Sequence, residues 1–64
     1  MKKNIKIDLN IYPIDKLKQA IHDFEGAAVI ILNNDELTIE GETNEEIDEI
    51  FSEFGNYVIG LINE

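Results

Sequence analysis

Residues 27–41 read AAVIILNNDELTIEG and contain the strongest structural signals of this chain. The first part of this stretch, 27–32, is apolar on both alternating faces, and its β-branched content favours a strand over a helix. The next three residues, 33–35, are Asn, Asn and Asp, which favour a turn because they tolerate positive φ and bond their own backbone. Apolar and polar residues then alternate over 36–40. The stretch therefore predicts an antiparallel β-hairpin that ends at Gly41.

The residues before the hairpin predict one strand and one helix. Apolar side chains alternate with polar ones over 5–11, which is the pattern of a half-buried strand. Pro13 breaks that pattern and suits the first position of a helix, where its missing N–H would be unpaired anyway. Apolar residues then recur at helical spacing, and Gly26 can adopt the left-handed conformation that ends a helix. We expect the first helix to extend from Pro13 to Glu25.

The residues after the hairpin predict a longer helix. Thr43 and Glu46 have the spacing of a capping box, in which each side chain satisfies a backbone N–H of the first turn. Apolar residues continue at helical spacing to the end of the chain. Gly55 interrupts this helix, and a glycine within a helix costs about 1 kcal/mol relative to alanine.

These elements give the order β-α-β-β-α and an α+β fold, a three-stranded sheet with two helices packed on one face. The whole chain, 1–64, is one domain at this length. The third strand, 36–40, could lie between the other two strands or at an edge. The continuous apolar character of the second strand, 27–32, favours a central place for the second strand. Val29 and Ile31 should point away from the helices and offer a sheet face for a dimer.

Composition limits the class of protein. The chain has no cysteine, so disulfides and thiolate metal sites are excluded. Its longest apolar run, 27–32, is far shorter than a membrane span, and its amino terminus lacks the apolar core of a signal peptide. The sequence therefore predicts a cytoplasmic protein with no membrane partner.

The net charge of −9 is unevenly distributed. Residues 1–18 contain all five lysines and two aspartates, a balance of +3, whereas 19–64 contain twelve carboxylates and no lysine or arginine. A body this negative repels phosphate backbones, so we expect no nucleic-acid partner. The carboxylates either form a solvated surface or attract a basic partner.

No residue pattern indicates catalysis or a cofactor. His22 is the only histidine and Ser52 the only serine, and the predicted elements give neither of them a partner. The carboxylates between Asp35 and Glu53 lack the spacing of a calcium loop. The glycines form neither a dinucleotide fingerprint nor a phosphate loop. The sequence predicts a protein that is not an enzyme and that binds no metal.

The end of the second helix has more apolar surface than a minimal fold needs, and such a surface marks an interface. We predict a partner-binding set on this helix, with apolar contact residues Tyr57, Val58, Ile59, Leu61 and Ile62, and with Glu45, Glu49 and Glu53 steering a basic partner. The competing interpretation is that this apolar surface packs on the protein's own sheet.

The chain resembles the D component of His-Xaa-Ser systems, small accessory proteins of bacterial gene clusters that contain radical-SAM peptide-modifying enzymes. The resemblance lies in residues 5–20, in Phe24 with the strand and hairpin that follow, and in the tail segment 51–57, FSEFGNY. It implies an accessory role in peptide maturation and implies no catalytic residue. The chain lacks the arginine that ends the family's tail motif, so a contact made by that arginine is not carried over.

The prediction from the sequence is thus a non-enzymatic accessory or adaptor domain that binds a peptide or protein partner through a free sheet edge or the second helix. Two alternatives are a structural homodimer and an acidic mimic of nucleic acid that inhibits a basic protein. Sedimentation separates the homodimer from the adaptor, and a salt-sensitive interaction with a nucleic-acid-binding protein would favour the mimic.

Overall fold

A computed structural model describes all 64 residues of the chain. Its elements are β1 (Lys2–Lys6), α1 (Ile14–Asp23), β2 (Val29–Asn33), β3 (Glu36–Glu40) and α2 (Asn44–Ile62). The strands form one antiparallel sheet in the order β1-β3-β2. The predicted α+β fold with the element order β-α-β-β-α is confirmed.

The core lies between one face of the sheet and the two helices. The buried residues are all apolar, and they are Ile7, Leu17, Ala20, Ile30, Leu37, Ile39, Ile47, Phe54, Val58 and Leu61. Leu37 and Ile39 of β3 are both completely buried. They alternate with polar residues, so the sheet has one face in the core and one face open.

The central strand is β3, and the prediction that the apolar strand β2 is central is wrong. β3 pairs with both neighbours, whereas β2 pairs with β3 alone. β1 and β2 therefore run parallel to each other with β3 between them. One face of β2 is covered by the core, and its other apolar face stays in contact with solvent because β2 lies at the edge.

The first strand, Lys2–Lys6, both begins and ends earlier than the predicted range 5–11. In the β1–β3 register Ile5 pairs with Leu37, and the next ladder bond joins the Ile7 N–H to the Asp35 carbonyl in the hairpin turn, at 2.7 Å. Beyond Ile7 no free residue of β3 remains as a partner. The chain turns instead at Asp8, whose carboxylate accepts a hydrogen bond from the Asn10 N–H at 2.9 Å, and residues 9–11 are exposed.

Two other element boundaries differ from the prediction. β2 begins at Val29 rather than Ala27, because residues 24–28 form turns in which the Ala27 and Ala28 N–H groups both donate to the Phe24 carbonyl. α1 ends at Asp23, and Gly26 does not adopt positive φ, so its predicted left-handed conformation is wrong.

The turns and the second helix follow the sequence closely. Asn34 has a φ of 58°, as the turn chemistry of the hairpin predicts. The Glu46 N–H donates to the Thr43 hydroxyl at 3.1 Å, which confirms that half of the capping box. The Glu46 carboxylate accepts from the Glu42 N–H at 3.0 Å, one residue before the predicted partner. Neither helix combines the length and apolar composition needed to cross a membrane.

Candidate functional site

The free edge of β2 is the first feature of the candidate site. The direction of its backbone groups follows from the bonds between β1 and β3. The Ile7 N–H donates to the Asp35 carbonyl at 2.7 Å and the Gly41 N–H donates to the Met1 carbonyl at 2.9 Å. Successive residues of a strand direct their backbone groups to opposite edges. The odd-numbered residues of β3 therefore face β1, and the even-numbered residues face β2.

This alternation leaves the backbone N–H and C=O groups of Ile30 and Leu32 without a hydrogen-bond partner in the sheet. Their odd-numbered neighbours pair with the even-numbered residues of β3, so Ile30 and Leu32 direct their N–H and C=O groups away from the sheet. None of the side-chain hydrogen bonds, and none of the backbone bonds outside the helices and strands, involves residues 29–33. The edge thus presents two donors and two acceptors for a further strand.

The two edges of the sheet differ in their side chains. β1, at one edge, contains Lys2, Lys3 and Lys6. β2, at the other edge, contains neither a charged residue nor a proline. Proteins commonly protect an exposed edge from strand pairing with lysines, prolines or bulges. β1 has that protection and β2 does not.

The open face of the sheet carries the side chains beside this edge. Directly paired residues of neighbouring strands place their side chains on the same face. The register then gives three rows across the open face, which are Lys2–Glu40–Val29, Asn4–Thr38–Ile31 and Lys6–Glu36–Asn33. A hydrogen bond of 2.8 Å from the Thr38 hydroxyl to the Asn4 side-chain oxygen connects the middle row.

Each strand contributes a different chemistry to the open face. β1 contributes two lysines, β3 contributes two glutamates, and β2 contributes the apolar pair Val29 and Ile31. Val29 is 50% exposed and Ile31 is 55% exposed, although both belong to a strand of the sheet. An apolar column next to unpaired backbone groups is the surface that an added strand would cover.

The predicted contact set on α2 does not form one surface. Val58 and Leu61 are buried in the protein's own core, which corrects their assignment to the contact surface. Ile59 and Ile62 are 45% and 38% exposed. Tyr57 lies two positions from Ile59, which is about 200° around the helix, so these two side chains lie on opposite flanks.

Tyr57 is part of the contact between the two helices. Its hydroxyl donates to the Asp23 carboxylate at 2.5 Å, and its ring packs edge-on against Phe24 with centroids 5.4 Å apart. The hydrogen bond to Asp23 raises the pKa of Tyr57 above its ordinary value of 10.0, with smaller contributions from desolvation and from the Asp23 and Glu64 charges. Tyr57 therefore joins α2 to α1, although 39% of its surface stays exposed.

The predicted steering residues form an acidic stripe on α2. Glu45, Glu49 and Glu53 are all exposed and follow one another at a spacing of four, so they share one side of the helix. None of the three forms a salt bridge. The Lys3 ammonium group reaches this helix but pairs with Asp48 at 2.8 Å, so the three glutamates leave a negative potential on this side of the protein.

No enclosed cavity offers an alternative site. The larger depression is open and has a volume of about 460 Å³; it is lined by residues 6–10 and Asp35. The smaller one, between α2 and the segment after β1, holds only about 20 Å³. That volume is close to the minimum that one water molecule needs. The structure therefore has no enclosed cavity that would hold a small molecule.

Sequence reasoning identified the exposed pair Val29 and Ile31 but missed the backbone groups of Ile30 and Leu32. It also missed Glu36 and Glu40, which lie beside β2 on the open face. These positions matter only because β2 is an edge strand, and the sequence placed β2 in the centre. The available signal was the contrast between a lysine-rich strand β1 and an uncharged strand β2.

Comparison of the chain with protein-family models, with curated proteins and with solved structures finds no match. The resemblance to the D component of His-Xaa-Ser systems stays a prediction from the sequence.

Proposed function

We propose that the protein is a non-enzymatic accessory domain that binds an extended segment of a peptide or protein partner, which adds a strand to the free edge of β2. One observation carries the proposal: the unpaired backbone groups of Ile30 and Leu32 lie beside the exposed side chains of Val29 and Ile31. In strand addition, main-chain hydrogen bonds supply affinity and alternate side chains supply selectivity.

The size of the edge sets the strength of binding. β2 has five residues and two outward positions, so an added strand can form four backbone hydrogen bonds. Each such bond contributes a net of about 0.5–1.5 kcal/mol, and ordering the partner offsets part of the sum. A weak and reversible complex is expected, which suits an accessory protein that presents a peptide to an enzyme.

The end of α2 supports partner binding less well than β2. Two of its five predicted contact residues are buried, and Tyr57 bonds to Asp23. The remaining pair, Ile59 and Ile62, is apolar and exposed but lies on a helix, which offers no strand edge to which a partner could add. These two isoleucines serve better as a comparison surface.

The resemblance to the D component of His-Xaa-Ser systems gives this proposal a biological setting. In that setting the added strand is part of a peptide substrate or of the radical-SAM enzyme that modifies it. A gene for such an enzyme beside the gene of this protein would support the setting, and its absence would leave peptide binding to be judged by the experiment below.

The first prediction concerns the two exposed apolar pairs. The probe is a fluorescently labelled peptide with the core Thr-Thr-Ile-Thr-Thr, capped at both ends and read by fluorescence anisotropy. The double variant Val29→Lys, Ile31→Lys should weaken its binding at least tenfold, because lysines remove the apolar column beside the edge.

The control is the double variant Ile59→Lys, Ile62→Lys, which changes the net charge equally at residues of similar exposure. It should bind the peptide as the unchanged protein does. Circular dichroism verifies that both variants are folded. Equal binding by all three proteins, or a loss confined to the α2 variant, would reject the proposed edge.

A further inference from the structure

The rows of the open face differ in the residue that lies next to β2. Glu40 lies beside Val29 and Glu36 lies beside Asn33, so both outer rows have a carboxylate at this position. The middle row has Thr38 beside Ile31. A strand added to β2 continues these rows, and each of its side chains on the open face lies in one of the rows.

The two carboxylates are only weakly neutralised within the protein. Glu36 forms no salt bridge, because the ammonium group of Lys6 lies 3.8 Å from Asp35 instead. Glu40 lies 3.9 Å from the Lys2 ammonium group, and the side chains of that pair are 41% and 67% exposed. Exposed pairs of this length contribute little. Both glutamates therefore remain open to a further cation.

A basic side chain on the added strand has the length to approach these glutamates. The new strand lies two strand spacings, or about 9.6 Å, from β3. Lysine and arginine side chains lay their aliphatic stems along apolar surface and keep the charged group in water. Val29 provides such a surface in the outer row that contains Glu40. In the middle row the same position favours an aliphatic residue beside Ile31.

We infer that the partner strand at the proposed edge of β2 is cationic. On the open face of the sheet it carries a basic, an aliphatic and a second basic residue, at every second position of the strand. This inference rests on the proposed function and adds the chemical class of the partner. The basic residues lie in the rows of Glu36 and Glu40, and the aliphatic residue lies beside Ile31. The twelve carboxylates of residues 19–64 attract such a strand from a distance.

A second copy of the chain fits this edge less well. If two β2 strands pair antiparallel about Ile31, Val29 of one copy lies opposite Asn33 of the other. The extended rows then bring Glu40 of one copy and Glu36 of the other into one line without a new cation. Each copy also has a net charge of −9. Charge therefore favours a basic peptide over a homodimer.

The test uses three capped peptides with the core Xaa-Thr-Ile-Thr-Xaa, in which Xaa is Lys, Thr or Glu. The core is symmetric, so the same rows are filled whichever direction the strand takes. We expect the lysine peptide to bind roughly two- to thirtyfold more tightly than the threonine peptide at low salt, the range for two exposed ion pairs. The glutamate peptide should bind most weakly, and added salt should shrink these differences.

Matched variants identify the carboxylates responsible. Glu36→Gln with Glu40→Gln should remove most of the preference for the lysine peptide. Glu45→Gln with Glu49→Gln changes the net charge equally on the exposed side of α2. It should weaken binding of the lysine peptide slightly, because long-range attraction falls, but it should keep most of the preference over the threonine peptide. Equal loss in both double variants would show that only overall charge acts, and would overturn the assignment to the outer rows.

The outcomes separate the inference from the proposed function. If the threonine and lysine peptides bind equally and both depend on Val29 and Ile31, the inference is wrong and the function stands. If no peptide binds, both fail. If sedimentation instead finds a dimer that the Val29→Lys, Ile31→Lys variant dissociates, the edge is occupied by a second copy and the basic strand is rejected.

Discussion

At the scale of single residues, Gly41 and Gly55 differ in what a methyl group would meet. A Cβ atom at Gly41 would lie 2.9 Å from Cγ1 of Ile47, a side chain that is completely buried in the core. A Cβ atom at Gly55 would have no atom within 4 Å outside the adjacent backbone. Gly41 is therefore required by the packing of β3 against α2, and Gly55 is not.

Replacement of these glycines by alanine should have opposite effects on stability. Gly41→Ala should lower the free energy of unfolding by about 1–3 kcal/mol, because the methyl group overpacks Ile47. Gly55→Ala should raise it by about 0.5–1 kcal/mol, because alanine favours the helix and no contact opposes it. Urea denaturation followed by circular dichroism measures both. A destabilised Gly55→Ala protein would show that this position is constrained by something other than packing.

Residue patterns were most informative where the chemistry is local. Asn34 adopts positive φ and Thr43 caps α2, and both follow from the preferences of those residue types. The requirement for Gly41 could not be predicted, since it depends on the distance between two elements. The same applies to the approach of Tyr57 to Asp23, which are far apart in the sequence.

At the scale of elements, the first strand shows how pairing overrides an alternating pattern. Leu9 and Ile11 continue the alternation of Ile5 and Ile7, yet both are exposed and lie outside the sheet. β3 is only five residues long, and the hairpin turn ends its ladder with β1. The pattern predicted a strand near the start of the chain but not its position, because pairing with β3 places it at Lys2–Lys6.

The contact between α1 and α2 makes a prediction about pH. The Asp23 carboxylate accepts a hydrogen bond from the Tyr57 hydroxyl and raises the pKa of Tyr57, so the folded state favours the neutral phenol. The stability from this bond is complete below the unfolded pKa of tyrosine, near 10, and is lost as pH rises through the raised value. Tyr12→Phe leaves Tyr57 as the only phenol, so its titration can be followed by ultraviolet absorbance.

Adding Asp23→Asn to the Tyr12→Phe protein should lower the pKa of Tyr57 towards its ordinary value, because the amide carries no charge. Glu25→Gln in the same background is the control, since it removes a nearby charge that does not touch the phenol. An unchanged titration in the Asp23→Asn protein would mean that Asp23 does not hold the Tyr57 hydroxyl in solution.

At the scale of the whole molecule, strand order separates what the sequence predicts from what it does not. The class of the fold and the element order follow from periodicity alone. The position of β2 in the sheet does not follow from periodicity, because a strand that is apolar on both faces can be central or can lie at an edge to which another strand adds. The candidate site exists only in the second arrangement, since only there are Ile30 and Leu32 unpaired.

The edge position of β2 also connects the fold with the candidate binding site. The helices cover one face of the sheet, the lysines of β1 protect one edge, and β2 is left with apolar side chains and free backbone groups. In the proposed complex, the glutamates in the rows beside β2 would favour a basic strand. A peptide that binds here extends the sheet to a fourth strand without changing the core.

Amide hydrogen exchange, measured by NMR with and without the Lys-Thr-Ile-Thr-Lys peptide, shows whether the edge of β2 is free and whether the peptide pairs with it. In the free protein, the amides of Ile30 and Leu32 should exchange faster than those of Val29 and Ile31, which bond to β3. The peptide should slow the exchange of Ile30 and Leu32 and leave Ile59 and Ile62 unchanged. Equal protection of all four β2 amides in the free protein, or slowing confined to α2, would contradict the account.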